Sequence, residues 1–118
     1  MARALVIACD IHPINNLRVR RWLAHEIGAD EDQRNAWTRH WIAEGFKALE
    51  AMAGAKDDDG PFLGGAAPDI SDICLVPQMF NARQAGVALD AWPRLVRADA
   101  ACAEIPAFAA AHPDKVKP

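Results

Sequence analysis

The stretch Cys9-Asp10-Ile11-His12-Pro13-Ile14-Asn15-Asn16-Leu17-Arg18 interrupts an otherwise apolar, helix-like run and sets the layout of the first helices. It places a histidine, two amides and an arginine around a proline, in a run that has no packing need for them. Burying such groups without partners costs roughly 1–3 kcal/mol each, so we expect them to face water, a ligand or a partner chain. The alternative is a proline kink in which the asparagines pair with backbone groups that Pro13 frees. The residue chemistry by itself leaves both interpretations open.

Helices are predicted on both sides of Pro13. The first covers about residues 3–12 and has no capping residue ahead of it, so the chain is expected to begin inside a helix. The second extends to about residue 26 and ends at Gly28, a residue type that is common where helices stop. Helical spacing assigns its apolar face to Leu17, Trp22 or Leu23, and Ile27.

A capping box marks the next helix, because Asp30 is followed three residues later by Gln33. This helix is predicted to run to about residue 53. Its apolar residues at helical spacing are Trp37, Trp41 or Ile42, Phe46, Leu49 and Met52. Gly45 in its middle indicates that another backbone passes close by. The residues from 54 to 67 are expected to form a loop, in which Asp57-Asp58-Asp59 is a solvated turn rather than a metal site.

A second capping pattern, Asp69 with Asp72, predicts the start of a central helix. We expect both carboxylates to be structural caps, and the Ser71 hydroxyl to belong to the cap rather than to act as a nucleophile. Apolar residues lie on most sides of this helix, which predicts that it is buried all round. These residues are Ile73, Leu75, Val76, Met79 and Phe80.

Glycine and proline indicate the remaining boundaries. Pro77 is expected to kink the central helix, and Gly86 is expected to end it. Pro93 opens a helix to about residue 103 and Pro106 opens a short one to about residue 111, since proline is favoured at the first helical position. The residues from Pro113 onwards are expected to form a frayed tail. With no convincing strand, the sequence predicts an all-α bundle of five to six helices.

Composition agrees with one small helical domain. The 118 residues are 52% hydrophobic and 25% charged, and alanine outnumbers all β-branched residues together. The net charge of -3 offers no basic surface for nucleic acid, and no apolar stretch is long enough to span a membrane. Cys9, Cys74 and Cys102 are expected to be buried free thiols of a cytoplasmic protein, and no metal site is expected.

Hydroxyl groups are almost missing from the chain. Ser71 and Thr38 are its single serine and threonine, and it has no tyrosine. Nothing in the sequence therefore offers a nucleophile or a hydroxyl that would stabilise a thiolate, and no catalytic residue is expected in this chain.

The sequence resembles the C-terminal helical domain of zeta-class glutathione transferases, which include maleylacetoacetate isomerase and maleylpyruvate isomerase. Two strings carry most of the resemblance, namely His12-Pro13-Ile14-Asn15-Asn16-Leu17-Arg18 and Asp72-Ile73-Cys74-Leu75-Val76-Pro77-Gln78 with Asn81-Ala82. Weaker anchors lie at Trp41, Gly45-Phe46 and His112-Pro113. The resemblance covers residues 1–118, so we expect the whole chain to be this one domain.

The resemblance implies a fold, a cofactor and a reaction. Family members carry a thioredoxin-like N-terminal domain that holds most of the glutathione, and no such domain is expected in this chain. Their reaction is the glutathione-dependent cis-to-trans isomerisation of a maleyl dicarboxylate in the catabolism of aromatic amino acids or aromatic acids. The resemblance therefore implies half of a cytoplasmic, homodimeric enzyme, inactive alone, with glutathione as cofactor and a small dicarboxylate as substrate.

The same resemblance implies site residues. His12, Asn15 and Asn16 are similar to residues that contact glutathione, and the alternative for His12 is a histidine that bonds a free carbonyl at a helix end. Arg18 is the first candidate for gripping a substrate carboxylate, because it lies one helical turn past Asn15 and arginine suits bidentate binding. Its alternative is a solvated arginine in the run that also contains Arg20 and Arg21.

One position departs from the family pattern. Where the family has a carboxylate-binding arginine after the Asn-Ala pair, this chain has Gln84, with Arg83 beside it. Neighbouring helix positions point about 100° apart, so Arg83 does not simply replace an arginine at position 84. We expect either Arg83 or Gln84 to contact substrate, or a substrate that differs from the maleyl acids.

Two other functions stay open from the sequence. One is a stand-alone helical module that binds a partner without catalysis. The other is a different class of glutathione transferase with unrelated electrophiles, which Gln84 leaves possible.

Overall fold

The computed structural model describes residues 1–54 and 60–116, and the named secondary-structure elements in these ranges are helical. Its α-helices are α1 (Ala2–Leu5), α2 (Leu17–Glu26), α3 (Glu31–Gly54), α4 (Ile70–Gln84), α5 (Pro93–Ala103), α6 (Pro106–Ala110) and α7 (Pro113–Val116). A π-helix (Val6–Ile11) and a 3-10 turn (Pro13–Asn15) connect α1 to α2. The all-helical fold predicted from the sequence is confirmed.

The core lies between α1 with its π-helix, α3, α4 and α5. Three side chains of α3 are buried in it, and α4 and α5 supply most of the rest. The fully buried side chains include Ile11, Ile42, Phe46, Leu49, Leu75, Met79 and Leu95. Among the described residues, no helix has the length and apolar character needed to cross a bilayer.

Local sequence signals placed most helix boundaries well. Asp30 and Gln33 form the predicted reciprocal cap, with hydrogen bonds of 2.8 Å in both directions. Gly28 and Gly86 follow α2 and α4 with φ values of 66° and 76°, where a side chain would be strained. The predicted frayed tail is wrong in part, since Pro113 opens a further helical turn.

The predicted apolar faces of α2 and α4 are partly wrong. Leu23 is buried, but Leu17, Trp22 and Ile27 are 59%, 56% and 63% exposed. On α4, Ile73 is 56% exposed, so the helix is not enclosed on all sides. Helical periodicity identifies apolar faces, but it does not say which of them another element of the chain covers.

The start of α5 is capped from another helix. The Glu50 carboxylate on α3 accepts hydrogen bonds from the backbone amides of Arg94 and Leu95, at 2.9 and 3.1 Å. Both amides belong to the first turn of α5, where no carbonyl of the helix itself is available. This contact joins α3 to α5 across more than forty residues of sequence. The negative charge of Glu50 also interacts favourably with the N-terminus of α5.

Candidate functional site

The kink around Pro13 is built from two irregular helical turns. In the π-helix the His12 amide donates to the Ile7 carbonyl at 2.9 Å, five residues back. The 3-10 turn follows, and the Asn15 amide donates to the His12 carbonyl at 3.2 Å. The sequence predicted a break at Pro13 but not the π-helix before it. This geometry leaves the His12 side chain exposed at the outside of the kink.

Both asparagines of the kink pair with backbone groups. Asn15 Nδ2 donates to the Ile11 carbonyl at 3.0 Å, and Asn16 Oδ1 accepts from the Val19 amide at 3.3 Å as the N-cap of α2. The alternative interpretation, in which the asparagines pair with backbone groups at the proline kink, therefore accounts for Nδ2 of Asn15 and Oδ1 of Asn16.

One polar atom of the kink is left over. Asn15 Oδ1 is buried and has no hydrogen-bond partner. Its orientation follows from the bond that Nδ2 makes to the Ile11 carbonyl, since a flipped amide would bring two acceptors together. A buried acceptor without a donor is costly, so this atom calls for an explanation. The kink thus has a buried acceptor on Asn15, three residues after the exposed His12.

Arg18 does not share a helical face with Asn15 as predicted, although its side chain is exposed and able to contact a ligand. The backbone at Asn16 is extended, with φ -72° and ψ 166°, so Asn15 and Arg18 do not belong to one continuous helix. Arg18 itself is exposed at the first turn of α2. Its neighbour in the run, Arg20, is instead committed to α3, where it donates to the Arg34 carbonyl, to Thr38 Oγ1 and to Asn35 Oδ1 at 2.6–2.9 Å.

Arg83 and Gln84 end α4 in different situations. Arg83 makes an ion pair of 2.6 Å with Asp99 of α5, so its charge is already balanced. Gln84 is exposed and is the last residue of α4. Gln84 is neutral, so it can contact a carboxylate only through hydrogen bonds.

An apolar groove of about 780 Å³ runs between α4, α5 and α6. The exposed side of α4 forms one wall, and the Arg83–Asp99 pair lies among its lining residues. Apolar side chains that line it include Ile73, Val76, Pro77, Phe80 and Phe108. Helical periodicity predicted that Ile73, Val76 and Phe80 are buried, but Ile73 is exposed and the other two are half-buried because all three line this groove.

The two predicted caps of α4 form a closed network. Asp69 Oδ1 accepts from the Ser71 amide at 2.8 Å and from its hydroxyl, so Ser71 is part of the cap. Asp72 is fully buried and accepts from three backbone amides at 2.8–3.0 Å. Those amides belong to Leu63, Gly64 and Asp69, so Asp72 also ties the preceding loop to the helix.

Two groups in this network titrate away from their ordinary values. Burial acts to raise the pKa of Asp69, but the hydrogen bonds from Ser71 and from the Asp72 amide outweigh it, and the pKa lies below the usual range. Burial, together with the charges of Asp72 and Asp99, raises the pKa of the Cys102 thiol to about 11. Cys102 is therefore a protonated, unreactive thiol at neutral pH.

The thiols differ from the prediction in one case. Cys102 is buried and Cys74 is half-buried, but Cys9 is exposed on the π-helix. Among residues 1–54 and 60–116, no group of three or more histidine, cysteine or acidic side chains is placed to hold a metal ion. The triplet Asp57-Asp58-Asp59 lies outside these residues.

Two contacts with α3 hold the kink, and the sequence did not predict the first of them. The Trp37 indole N–H on α3 donates to the Ile14 carbonyl at 2.9 Å. Gly45 on the same helix faces the side chain of Ile11, which occupies the space a Cβ would take. The close approach at Gly45 was predicted, but it is made by a side chain rather than by a backbone. No local signal points to the partner of Trp37.

No protein-family model matches the chain. The chain is 43% identical over 112 residues to maleylpyruvate isomerase from a Ralstonia species, covering 95% of this chain and 53% of that protein. It superposes on a solved bacterial maleylpyruvate isomerase, a zeta-class glutathione transferase, with a TM-score of 0.94 at 42% identity, covering 97% of this chain and 54% of that one.

A third relative was solved with ligands. It is the maleylacetoacetate isomerase of Anaeromyxobacter dehalogenans with dicarboxyethyl glutathione and citrate in its active site. Its TM-score is 0.86 at 38% identity, covering 97% of this chain and 50% of that one. The chain therefore spans about half the length of the relatives it matches.

Proposed function

We propose that this chain is the helical half of a glutathione-dependent cis-trans isomerase. Its sequence and fold are similar to those of the C-terminal helical domain of zeta-class glutathione transferases. The substrate is a maleyl dicarboxylate such as maleylacetoacetate or maleylpyruvate, in the breakdown of aromatic amino acids or aromatic acids. The observation that carries the proposal is agreement with a zeta-class isomerase over 97% of the chain, at a TM-score of 0.94.

The kink has the chemistry that glutathione needs. Glutathione carries an ammonium group and two amide N–H groups, all of them donors, and Asn15 Oδ1 is an acceptor without a donor, which glutathione reaches once the atoms that cover it move aside. The free Nδ2 of Asn16 and the exposed imidazole of His12 add donors for its carboxylates. When bound, glutathione supplies a thiol nucleophile for reversible addition to the maleyl double bond. His12, Asn15 and Asn16 hold and orient it.

The substrate is a dianion, so the site requires positive charge. Arg18 is exposed and close in sequence to the kink, and its guanidinium suits bidentate contact with a carboxylate. Arg83 is held by Asp99, which favours Gln84 as the residue of α4 that contacts substrate through neutral hydrogen bonds. A neutral amide attracts a carboxylate more weakly than arginine does, so this chain is expected to bind its dicarboxylate less tightly at that end.

Activity requires more than this chain contains. With Ser71 committed to a cap and Cys102 protonated, no described group is placed to stabilise a thiolate. That task belongs to a thioredoxin-like N-terminal half, which would account for the greater length of the relatives. The apolar groove along α4 is a surface that such a half would cover.

The assembly is proposed to be a cytoplasmic homodimer. Leu5 is 50% exposed on α1, next to half-buried Val6, and both precede the kink. An apolar side chain at this position gains free energy by burial against a second subunit. Sedimentation of the chain at micromolar concentration tests this, and a monomer that Leu5→Glu leaves unaltered in solubility would contradict it.

A chimera tests the catalytic proposal. The N-terminal half of the Ralstonia maleylpyruvate isomerase is joined to this chain in place of its own matched region, and isomerisation is measured with glutathione. We expect turnover from the chimera and none from the 118-residue chain alone. His12→Ala should raise the KM for glutathione, and His25→Ala, which changes an exposed histidine at the far end of α2, should not. A folded, dimeric chimera without glutathione-dependent turnover would contradict the proposal.

A further inference from the structure

We propose that Trp37 is a positioning residue, which holds the kinked segment in the orientation that His12 and Asn15 need to contact glutathione. The inference rests on the proposed function for the identity of the ligand, but the contacts that carry it are independent of that function. It assigns a role to a residue of α3 that does not itself face the ligand.

The local hydrogen bonds of the kink determine its shape but not its position relative to the other helices. The Asn15 amide bonds the His12 carbonyl, and the Asn15 side chain bonds the Ile11 carbonyl, all within five residues. A turn held only by such bonds can rotate as a unit about its two ends. The Trp37 bond to the Ile14 carbonyl spans 23 residues and ties the turn to the body of the bundle.

A second contact on α3 fixes the direction of the segment. Ile11 is fully buried and fills the notch that Gly45 leaves. Gly45 lies eight residues after Trp37, which corresponds to about 12 Å along one helix. Two attachment points at this separation on a rigid element define both the position and the tilt of the residues between them, which include His12.

The indole is itself held by its neighbours. The Trp37 ring meets the Trp41 ring edge-on at a centroid distance of 5.7 Å, and Trp41 meets His40 in the same way at 4.7 Å. Such edge-to-face contacts restrict the rotation of the rings. The Trp41 ring therefore helps to hold the direction of the Trp37 N–H, as a positioning role requires.

The first experiment needs no variant. In the wild-type chain, hydrogen exchange of the indole N–H groups is followed by NMR, with Trp22, which is 56% exposed, as the internal reference. Because the Trp37 N–H is bonded to Ile14, we expect it to exchange at least about fivefold more slowly than that of Trp22. Equal rates for the two indoles would overturn the proposal.

The second experiment uses Trp37→Phe, which keeps a ring and removes the donor. We expect the Asn15 amide to exchange about fivefold faster, and in the chimera the KM for glutathione to rise about fivefold with kcat changed less than twofold. The matched control is Trp22→Phe, which removes a tryptophan that is 56% exposed and leaves the Trp37 donor and its ring contacts in place. It should change neither the exchange nor the KM.

The outcomes separate this proposal from the function on which it rests. Unchanged exchange at Asn15 in Trp37→Phe overturns the positioning role, and so does faster exchange with an unchanged KM. If the wild-type chimera shows no dependence on glutathione, the proposed function fails, and the two exchange measurements still decide whether Trp37 holds the turn. Faster exchange with a raised KM supports both.

Discussion

The kink at residues 11–16 and the capped start of α4 both bury polar groups, but only the second uses all of them. Asp72 is fully buried and accepts from three backbone amides, and the Cys102 thiol lies 3.9 Å from Oδ1 as a further donor. In the kink, Asn15 Oδ1 is buried without a partner and His12 is exposed. A fully paired network stabilises the fold, whereas a partly paired one leaves an acceptor whose hydrogen bond another molecule can supply.

The two regions also differ in what surrounds them. Apart from the Cys102 thiol, the capped start of α4 makes its bonds within residues 63–72, whose members lie close in sequence. The kink depends on α3 for its place, through Trp37 and Gly45. This comparison predicts that substitutions in the cap reduce stability, and that substitutions of the free groups in the kink reduce binding.

The largest effect is expected for Asp72→Ala. Removal of the carboxylate leaves three amides without their acceptor, and bonds to a charged group are the strong ones, so we expect a loss of about 3 kcal/mol or more in the free energy of unfolding. Urea denaturation measures it. Asp32→Ala, at an exposed aspartate in the first turn of α3, is the control. A loss below about 1 kcal/mol would remove the distinction between a fully paired and a partly paired network.

A smaller effect is expected for Gly45→Ala, which tests the kink's attachment rather than its free groups. The new methyl group would overlap the side chain of Ile11, and overpacking of this kind costs about 1–3 kcal/mol. Thermal denaturation measures the loss. The double variant with Ile11→Ala should recover part of it, because the methyl then enters vacated space. No recovery would mean that Ile11 is not what Gly45 accommodates.

The next effect concerns Asp69 and pH. Asp69→Ala removes an N-cap and should cost about 0.5–2 kcal/mol at pH 7. Since the pKa of Asp69 is lower in the folded protein than the ordinary 3.8, its ionised form stabilises the fold above that value. This contribution is lost as the pH falls further, through the folded pKa.

Asp69→Asn separates the two roles of this residue. Asparagine also caps helices but does not titrate. The variant should therefore stay close to wild type at pH 7 and lose less stability than wild type between pH 4 and pH 2, as followed by acid titration with circular dichroism. Parallel acid curves for the variant and wild type would show that Asp69 does not carry this pH dependence.

The smallest effect on stability is expected for His12→Ala. The side chain is exposed, so the free energy of unfolding should change by less than about 0.5 kcal/mol, in contrast to the residues of the cap. Urea denaturation of the chain measures this. A loss above about 1 kcal/mol would place His12 among the structural residues and would weaken its assignment to glutathione.

Much of the fold was predictable because its signals are local. The caps at Asp30 and Asp69 and the stops at Gly28 and Gly86 each depend on residues within one helical turn. The site was predictable only in part. The kink and its polar residues could be located, but periodicity could not reveal that Asn16 has extended backbone, which removes Arg18 from the face of Asn15.

The sequence by itself determined the helical class and most helix boundaries, because these depend on spacing between residues that are neighbours along the chain, and its resemblance to zeta-class glutathione transferases indicated the family. Only the tertiary structure decided which apolar face of α4 stays open as a groove and which α3 residues hold the kink. It also decided which polar atom of the kink lacks a partner. The physical reason is that these outcomes depend on how helices distant in sequence pack together. Contacts such as Trp37 with Ile14 and Glu50 with the start of α5 cannot be predicted from the residue spacing within one helix.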